Sequence, residues 1–330
     1  MRRTGPFFLV LLLLLLVATV LASLLVGSVR VAPGDALAAV AGRGDPATVT
    51  IVRDLRLPRA LLGLLVGGAL ALSGAALQAL LGNPLADPYL LGVSGGAACG
   101  TLLAVILGAG TAGLLGTFAL PIASLAGALG AVLLVGLGAS VGGRLDRGRL
   151  LLSGVVVNAL ASAVLLFLLS FSDAAGARGF VFWMLGSLSG ASGDAVLSLV
   201  AYSALGLAVL LPLARAFDAL TLGEETAFTL GVPVERAKRI AYVAASLLAA
   251  AAVAHAGIIG FVGLLVPHVV RRLTHGHRAL LLGSFLGGGI LLVASDLLAR
   301  TLFSPNEISI GAVTALLGAP AFLVLLRRRA

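Results

Sequence analysis

The chain has 330 residues, of which 60% are hydrophobic and 11% are charged, and its mean hydropathy is +1.16. These values exclude an ordinary soluble domain, which has fewer apolar and more charged residues. They indicate an integral membrane protein, so the formal net charge of +9 has to be interpreted through its distribution around a membrane.

Apolar runs long enough to cross a bilayer, roughly 20 residues each, recur along the chain. Because these runs are apolar on every face, they predict helices, and the expected fold is an all-α integral membrane protein. We predict about ten transmembrane helices, at residues 7–29, 60–81, 91–108, 114–139, 150–170, 193–213, 237–255, 258–272, 278–300 and 309–326.

The first span follows Arg2 and Arg3, a pattern that also begins cleaved signal peptides. Its apolar run is longer than the roughly 7–15 residues of a signal-peptide core, and it lacks a clean small-x-small cleavage site. We therefore expect a retained anchor and a single transmembrane domain over residues 1–330.

Basic residues are unevenly distributed between the two sides of these spans. With the N-terminus inside, 15 of the 22 Lys and Arg residues lie on the cytoplasmic side and 7 lie outside. Cytoplasmic loops favour Lys and Arg, so both termini are predicted to be cytoplasmic in a multi-pass protein of the bacterial cytoplasmic (inner) membrane. The positive charge thus indicates topology, and no nucleic-acid partner is expected.

Two proline pairs, Asn83-Pro84 and Asp87-Pro88, directly follow the second span. Proline lacks an amide donor and biases the preceding residue away from helical geometry, so these pairs predict the end of a helix at the cytoplasmic side. Small residues recur every four positions on either side of this break, which favours close helix packing. They are Gly63, Gly67, Gly92, Gly96 and Gly100.

Residues 59–96 and 239–272 share a weak likeness. Each region has a basic start, a helix rich in small residues and a break marked by proline. This order suggests an internal repeat of the kind found in transporters.

The longest predicted cytoplasmic segment covers about residues 214–239 and contains GEETAFTLGVP. Glu224 and Glu225 suit the positive start of a short helix, and Gly231 followed by Pro233 supplies its end. Such a helix is too short to span a membrane, and segments of this kind are usually solvated connectors.

Gln78 and Asn158 fall inside predicted spans, where a polar side chain needs either a partner or a water-filled path. Both interpretations remain open from the sequence. Asp296 and Arg300 are four residues apart on one predicted helix and can pair with each other.

No metal site is predicted, because the four histidines lack a carboxylate or cysteine set at the spacing of metal ligands. They are His255, His268, His275 and His277. Cys99 is the only cysteine, so no disulfide can form within the chain.

Seven sequence blocks occur in a consistent order along nearly the whole chain. They are RLPR at 56–59, SGAALQALLGNPLADPYLLGVSGG at 73–96, LLLSGVVVNAL at 150–160, FWMLGSL at 182–188, LGEETAFTLGVPVERAKR at 222–239, GFVGLLVPHVVRR at 260–272, and SDLLAR with EISIGAVTALLGAPAFLVLL near the C-terminus. Together these blocks resemble the FecCD family, the permease subunits of type II ABC importers for ferric siderophores, haem and cobalamin. One departure is Ser309, where family members commonly have proline.

The resemblance implies the type II ABC importer permease fold as one permease domain, and alternating access in the lipid bilayer. The partners that it implies are a second copy of the chain, two ATP-binding cassette subunits and a periplasmic or lipoprotein substrate-binding protein. No cofactor is expected on this chain, because ATP and Mg would be bound by the ATPase subunits.

The resemblance also implies roles for particular residues. Arg56, Arg59 and Arg300 are expected to meet carboxylates of the binding protein at the outer mouth. The segment 223–231 is expected to enter a cleft of the ATPase as a coupling helix, with Gly223, Glu224, Glu225, Ala227, Leu230 and Gly231 as its main residues. Candidates for the pathway or for helix packing are Gln78, Asn83 and Asn158.

Any ATP must be hydrolysed by another chain, because the sequence contains no G-x-x-x-x-G-K-[ST], and its one lysine, Lys238, lies in VERAKR. Two other classes remain as alternatives. An ion-coupled secondary transporter would be expected to carry a buried carboxylate relay, whereas the acids here lie mostly at helix ends and in loops. An intramembrane enzyme would need a cluster of catalytic residues, and none is convincing. Whether the substrate is a ferric siderophore, haem or cobalamin stays open.

Overall fold

The computed structural model describes residues 4–108, 113–304 and 306–327, and most of these residues are helical. The elements in chain order are α1 (Thr4–Leu25), α2 (Pro33–Val40), α3 (Pro46–Val49), a π-helical turn (Thr50–Arg56), α4 (Leu57–Leu81), a 3-10 turn (Pro88–Leu91), α5 (Val93–Ile106), α6 (Gly113–Ala139), β1 (Ser140–Val141), β2 (Arg144–Leu145), α7 (Arg147–Leu169), α8 (Ala174–Met184), α9 (Gly193–Leu210), α10 (Ala214–Leu220), α11 (Glu224–Thr229), α12 (Val234–Ala256), α13 (Val262–Leu273), α14 (His277–Thr301) and α15 (Ile310–Arg327).

Each of the ten predicted spans coincides with one helix, namely α1, α4, α5, α6, α7, α9, α12, α13, α14 and α15. Within the described residues, seven helical stretches are long and apolar enough to cross a membrane. The other three of the ten helices are α5 with 14 residues, α13 with 12, and α15, whose apolar stretch is Ile310–Leu325. At about 1.5 Å per residue, α5 and α13 extend only about 21 and 18 Å, less than the ~30 Å hydrocarbon core. Neither of these two helices is long enough to cross the core by itself.

Several details differ from the prediction. The helix α1 ends at Leu25 instead of residue 29, and α9 ends at Leu210 instead of residue 213, where Pro212 prevents continuation of the helix. The helices α2, α3, α8 and α10 were not predicted. A short antiparallel hairpin pairs β1 with β2 through Gly142 and Gly143, whose φ angles of 55° and 77° suit a tight turn.

Helix α4 lies at the centre of the bundle and packs against α9, α12, α13 and α14. Its small residues allow these neighbours to approach closely: a Cβ on Gly67 would overlap the carbonyl of Gly288 in α14. Similarly, a Cβ on Gly96 or Gly100 in α5 would overlap backbone carbonyls of α6. The predicted close packing through small residues is thus confirmed at these positions.

In two places, two consecutive α-helices are separated by a short break in which the backbone is not α-helical. The first broken pair is α4, the break at residues 82–92 and α5; the second is α12, the break at residues 257–261 and α13. This order agrees with the predicted likeness of the two regions. However, Pro267, the predicted marker of the second break, lies inside α13. Proline is tolerated within membrane helices where neighbours satisfy the freed backbone groups.

The two breaks meet inside the bundle. The Tyr89 hydroxyl donates a hydrogen bond to the Ile259 carbonyl at 2.9 Å and accepts one from the Ile259 amide at 3.0 Å. One side chain of the first break therefore satisfies both backbone groups of a residue in the second.

Candidate functional sites at the two ends of the bundle

Following the predicted orientation, we call the end of the bundle at which α4 begins the outer end, and the opposite end the inner end. At the outer end, Arg59 in the first turn of α4 binds two carboxylates. Its Nε donates to Asp296 Oδ1 at 2.9 Å, and its two terminal nitrogens donate to Glu307 Oε1 and Oε2 at 3.1 and 3.0 Å. This bidentate fork joins α4 to α14 and to the segment before α15.

Two further arginines of the outer end, Arg56 and Arg300, contact the end of α1. Arg56 donates to the carbonyls of Leu24 and Val29 at 2.7 and 2.5 Å. Arg300 donates to the Ser23 carbonyl and hydroxyl at 2.6 and 2.7 Å, and its Nε lies 3.4 Å from Asp296 Oδ2. The expected pairing of Arg300 with Asp296 is thus present.

These contacts bury two of the three arginines that were expected to meet carboxylates of the binding protein. Arg56 is 6% exposed and Arg300 is 9% exposed. The physical reason is that a planar guanidinium group with several donors suits the unpaired carbonyls at the end of a helix. Arg59, with a side chain 15% exposed, is the most accessible of the three. A contact between these residues and a binding protein stays a prediction.

A cavity of about 520 Å³ opens beside Arg59. Its wall includes the aromatic residues Phe182 and Trp183 from the end of α8, and His255 from the last turn of α12. Glu307 lies on the same wall. We call this space the outer cavity.

At the inner end, the predicted short helix is confirmed as α11. Gly223 precedes it with φ 105°, Glu224 and Glu225 form its first turn, and Gly231 follows it with φ 81°. Ala227 is fully buried, and Leu230 is 63% exposed.

Three large apolar side chains on and beside α11 are exposed: Leu222 at 64%, Phe228 at 73% and Leu230 at 63%. The polar residues Glu225, Thr226 and Thr229 are exposed beside them. We call the three apolar side chains the apolar ridge, and a role for them in coupling stays a prediction.

An ion-pair network ties α11 to α12. Lys238, whose side chain is 3% exposed, lies 3.0 Å from Glu224 Oε2 and 2.8 Å from Glu235 Oε1. Glu224 also pairs with Arg147 Nε of α7 at 2.8 Å. The network thus connects α11 to the start of α12 and to α7.

The three polar candidates inside the bundle all surround the first break. Gln78 donates weakly to the carbonyls of Ala86 and Leu264, at 3.4 and 3.3 Å. Asn158 donates to the Tyr89 carbonyl at 3.1 Å, and Asn83 accepts from the Leu85 amide at 2.9 Å. These partners account for all three residues through packing and turn formation, and a role in the pathway stays untested.

Two important residues were missed by the sequence reasoning. Tyr89 lies within the DPYLLG block, where an aromatic hydroxyl between two helices needs a partner. Glu307 is the acid between the last two spans, opposite a region crowded with arginines. From these two features, the sequence could have predicted a hydrogen bond of Tyr89 and an ion pair of Glu307 at the outer end.

The FecCD transport family profile matches residues 14–328 of the chain. A cobalamin import system permease protein of Halobacterium salinarum is 45% identical over 288 residues, covering 87% of this chain and 76% of that protein. A vitamin B12 import system permease protein of Salmonella paratyphi A is 41% identical over 331 residues, covering 100% of this chain and 97% of that protein. An uncharacterized ABC transporter permease of Bacillus subtilis is 40% identical over 291 residues, covering 87% of this chain and 82% of that protein.

A solved structure described as an inward-facing conformation of a metal-chelate type ABC transporter is also similar. It matches with a TM-score of 0.84 and 32% identity, covering 98% of this chain and 99% of the other. The helix order described above is therefore that of an ABC importer permease, and the family profile spans nearly the whole sequence. The chain belongs to the FecCD transport family.

Proposed function

We propose that the chain is the permease subunit of an ATP-driven importer that carries a metal chelate across the cytoplasmic membrane by alternating access. The observation that carries this proposal is the full-length similarity to a vitamin B12 import permease. The similarity to a metal-chelate type transporter structure supports the same class of substrate.

The proposed energy source is ATP and Mg bound by two separate ATP-binding subunits, because the chain has no phosphate-binding loop of its own. The apolar ridge of Leu222, Phe228 and Leu230 is the proposed contact with those subunits. Movement there would pass through Glu224 and Lys238 into α12 and then into the second break.

The proposed assembly contains two copies of this chain. Helix α7 supports it, because Leu152, Val156 and Phe167 are each at least 60% exposed on a helix that also reaches the first break. A substrate-binding protein is proposed to dock at the outer end, where Arg59 is the most accessible of the three candidate arginines and Glu307 is its present partner. Replacement of Glu307 by a carboxylate of the binding protein would preserve the charge balance of Arg59.

Among metal chelates, cobalamin is the first choice because two of the similar permeases are named for it. Ferric siderophores and haem are the other two classes to compare. The test is to purify the chain with its own ATPase and binding protein, and then to measure ATP turnover with each chelate. We expect one chelate, delivered by the binding protein, to raise ATP turnover.

A matched pair of variants tests the coupling contact. Phe228→Ala removes the ridge, whereas Leu37→Ala removes a similarly exposed apolar side chain, 69% exposed, at the outer end. We expect Phe228→Ala to weaken co-purification with the ATPase and to lower chelate-stimulated turnover, while Leu37→Ala leaves both unchanged. A complex that forms equally well with Phe228→Ala would rule out the ridge as the main contact.

A further inference from the structure

His255 is the most informative side chain of the outer cavity. Its Nδ1 lies 2.9 Å from the Ala251 carbonyl. Because a carbonyl can only accept, Nδ1 carries the proton in this hydrogen bond, and Nε2 of the neutral ring keeps its lone pair. Among the described residues, Nε2 has no hydrogen-bond partner.

The ring also has space on two sides. His255 contributes to the wall of the outer cavity, about 520 Å³, and to that of a smaller adjoining cavity of about 210 Å³ beside α9. The volume of the outer cavity is within the usual range of about 300–1,000 Å³ for small-molecule sites. A partly exposed histidine between two cavities is accessible to a ligand from the outer end.

The rest of the outer cavity suits one face of a planar molecule. Phe182 and Trp183 provide aromatic surface, and Phe182 is 65% exposed. Ser187 and Ser189, which are hydrogen-bonded to each other at 2.9 Å, provide polar groups on the same wall. Apolar faces with polar margins match a macrocyclic metal chelate that carries polar substituents.

No group of three or more His, Cys, Asp and Glu side chains that could hold a bare metal ion is present in the described part of the chain. A metal already held by a macrocycle, however, needs only one further ligand, and a neutral imidazole is a common axial ligand of iron in haem. A single histidine can therefore supply the one ligand that the metal of a planar chelate still needs.

We propose that His255 is a transient axial ligand for the metal of a planar chelate in the outer cavity. The lone pair of Nε2 forms a bond to the metal as a bound water leaves it; the proton on Nδ1 stays in place and no electron is transferred. This inference rests on the proposed function and narrows its substrate class to corrinoids or porphyrins with an exchangeable axial position. A ferric siderophore that fills all six positions of the iron would not use it.

The test is visible absorption spectroscopy of the purified complex of this chain with its ATPase, titrated with aquocobalamin and, separately, with ferric haem. Exchange of metal-bound water for imidazole shifts the visible bands. We expect the shift in the wild type with at least one probe, and the probe that responds distinguishes corrinoid from porphyrin. Cyanocobalamin, whose upper position is capped, and a hexadentate ferric hydroxamate should give no shift.

His255→Ala and His255→Gln should both lose the shift and bind the responding probe at least about tenfold more weakly, a loss comparable to that caused by disturbing other metal-ligand shells. His255→Gln keeps a polar side chain in case the alanine variant fails to fold. His275→Ala, which changes an exposed histidine elsewhere in the chain, is the matched control and should behave as the wild type.

A shift that persists in both His255 variants, or the absence of a shift in the wild type with both probes, would overturn the inference. The assay needs no transport, so its failure is distinguishable from a failure of the proposed function. Uptake of a chelate without any axial exchange would leave the importer assignment intact and remove only the role of His255.

Discussion

The two broken pairs have the same order of elements, but their breaks are stabilised in different ways. In the first break, Asn83 and Asp87 accept hydrogen bonds from the amides of Leu85 and Tyr89, at 2.9 and 2.8 Å. The second break has no polar side chain of its own. It depends on Tyr89 from the first break, and it ends at Phe261, which has φ 68°. The first break is encoded locally, and the second is determined by tertiary contacts.

The starts of the two pairs are more alike. Arg59 lies between two carboxylates, those of Asp296 and Glu307, near the start of α4. Lys238 lies between Glu224 and Glu235 near the start of α12. The difference is in where the carboxylates lie: those of Arg59 are at the outer end, whereas Glu224 is on the proposed coupling helix. In the proposed function, the outer start belongs to partner docking and the inner start to coupling.

The largest effect is expected where the two pairs contact each other through backbone. A Cβ on Gly74 of α4 would overlap the Gly263 carbonyl at the start of α13. Gly74→Ala should therefore destabilise the protein by about 3 kcal/mol or more, because two helices must separate. Thermal unfolding in detergent is the measurement. Gly130→Ala, at a helical glycine with nothing within 4 Å, is the control; equal melting temperatures for the two variants would contradict close packing of the pairs.

The next largest loss of stability is expected at Lys238, near the start of α12. Lys238→Met keeps the length of the side chain but leaves Glu224 and Glu235 without their buried cation. We expect a loss of about 2 kcal/mol, typical of charged hydrogen bonds, together with weaker coupling of ATP turnover to substrate. Arg236→Met, which removes an exposed cation from the same helix, is the control. If both variants behave alike in melting and in ATPase assays, Lys238 does not anchor α11.

Tyr89→Phe removes the link between the two breaks with little change in volume. The Ile259 amide and carbonyl then lose their partner, so we expect a cost of about 1–2 kcal/mol in unfolding free energy. Tyr202→Phe, at a half-buried tyrosine of α9, should cost less. Equal stability of the two variants would show that the second break holds its shape without Tyr89.

The smallest loss of stability is expected at Asp87, and it tests whether the first break is stabilised by its own side chains. Asp87→Ala removes the cap on the Tyr89 amide and should cost about 1 kcal/mol. Asp87→Asn retains an acceptor and should lie within a few tenths of the wild type. Melting curves of the two variants decide the point, and equal losses for asparagine and alanine would argue that the charge, and not the cap, is important.

The first break is formed by local contacts and the second by tertiary contacts, and this difference explains what the sequence could and could not predict. Prolines and Asx residues identified the end of α4, and apolar runs identified a helix at each of the ten predicted spans, because these signals act over a few residues. At the second break, the predicted spans left only residues 256 and 257 outside helices. In the structure the break is longer, because α13 begins only at Val262. Gly257, with φ 70°, is a local signal for the end of α12. No local signal marks the length of the break, because the hydroxyl that satisfies Ile259 comes from 170 residues earlier in the chain.

The outer arginines show a similar limit. The sequence placed Arg56, Arg59 and Arg300 at one end of the bundle, which the structure bears out. It could not show that the end of α1 would cover Arg56 and Arg300, because burial depends on how the first helix packs against α14. The separation of Arg59 from Glu307, 248 residues, likewise excluded a local prediction of that pair.

Uptake of labelled aquocobalamin by proteoliposomes tests the central claim most directly. The vesicles would contain this chain and its ATPase, with the binding protein outside and ATP supplied to the ATPase side. The account predicts accumulation that requires both hydrolysable ATP and the binding protein, and that falls sharply with Lys238→Met but not with Arg236→Met. Accumulation driven by a proton or sodium gradient in vesicles without the ATPase would contradict it.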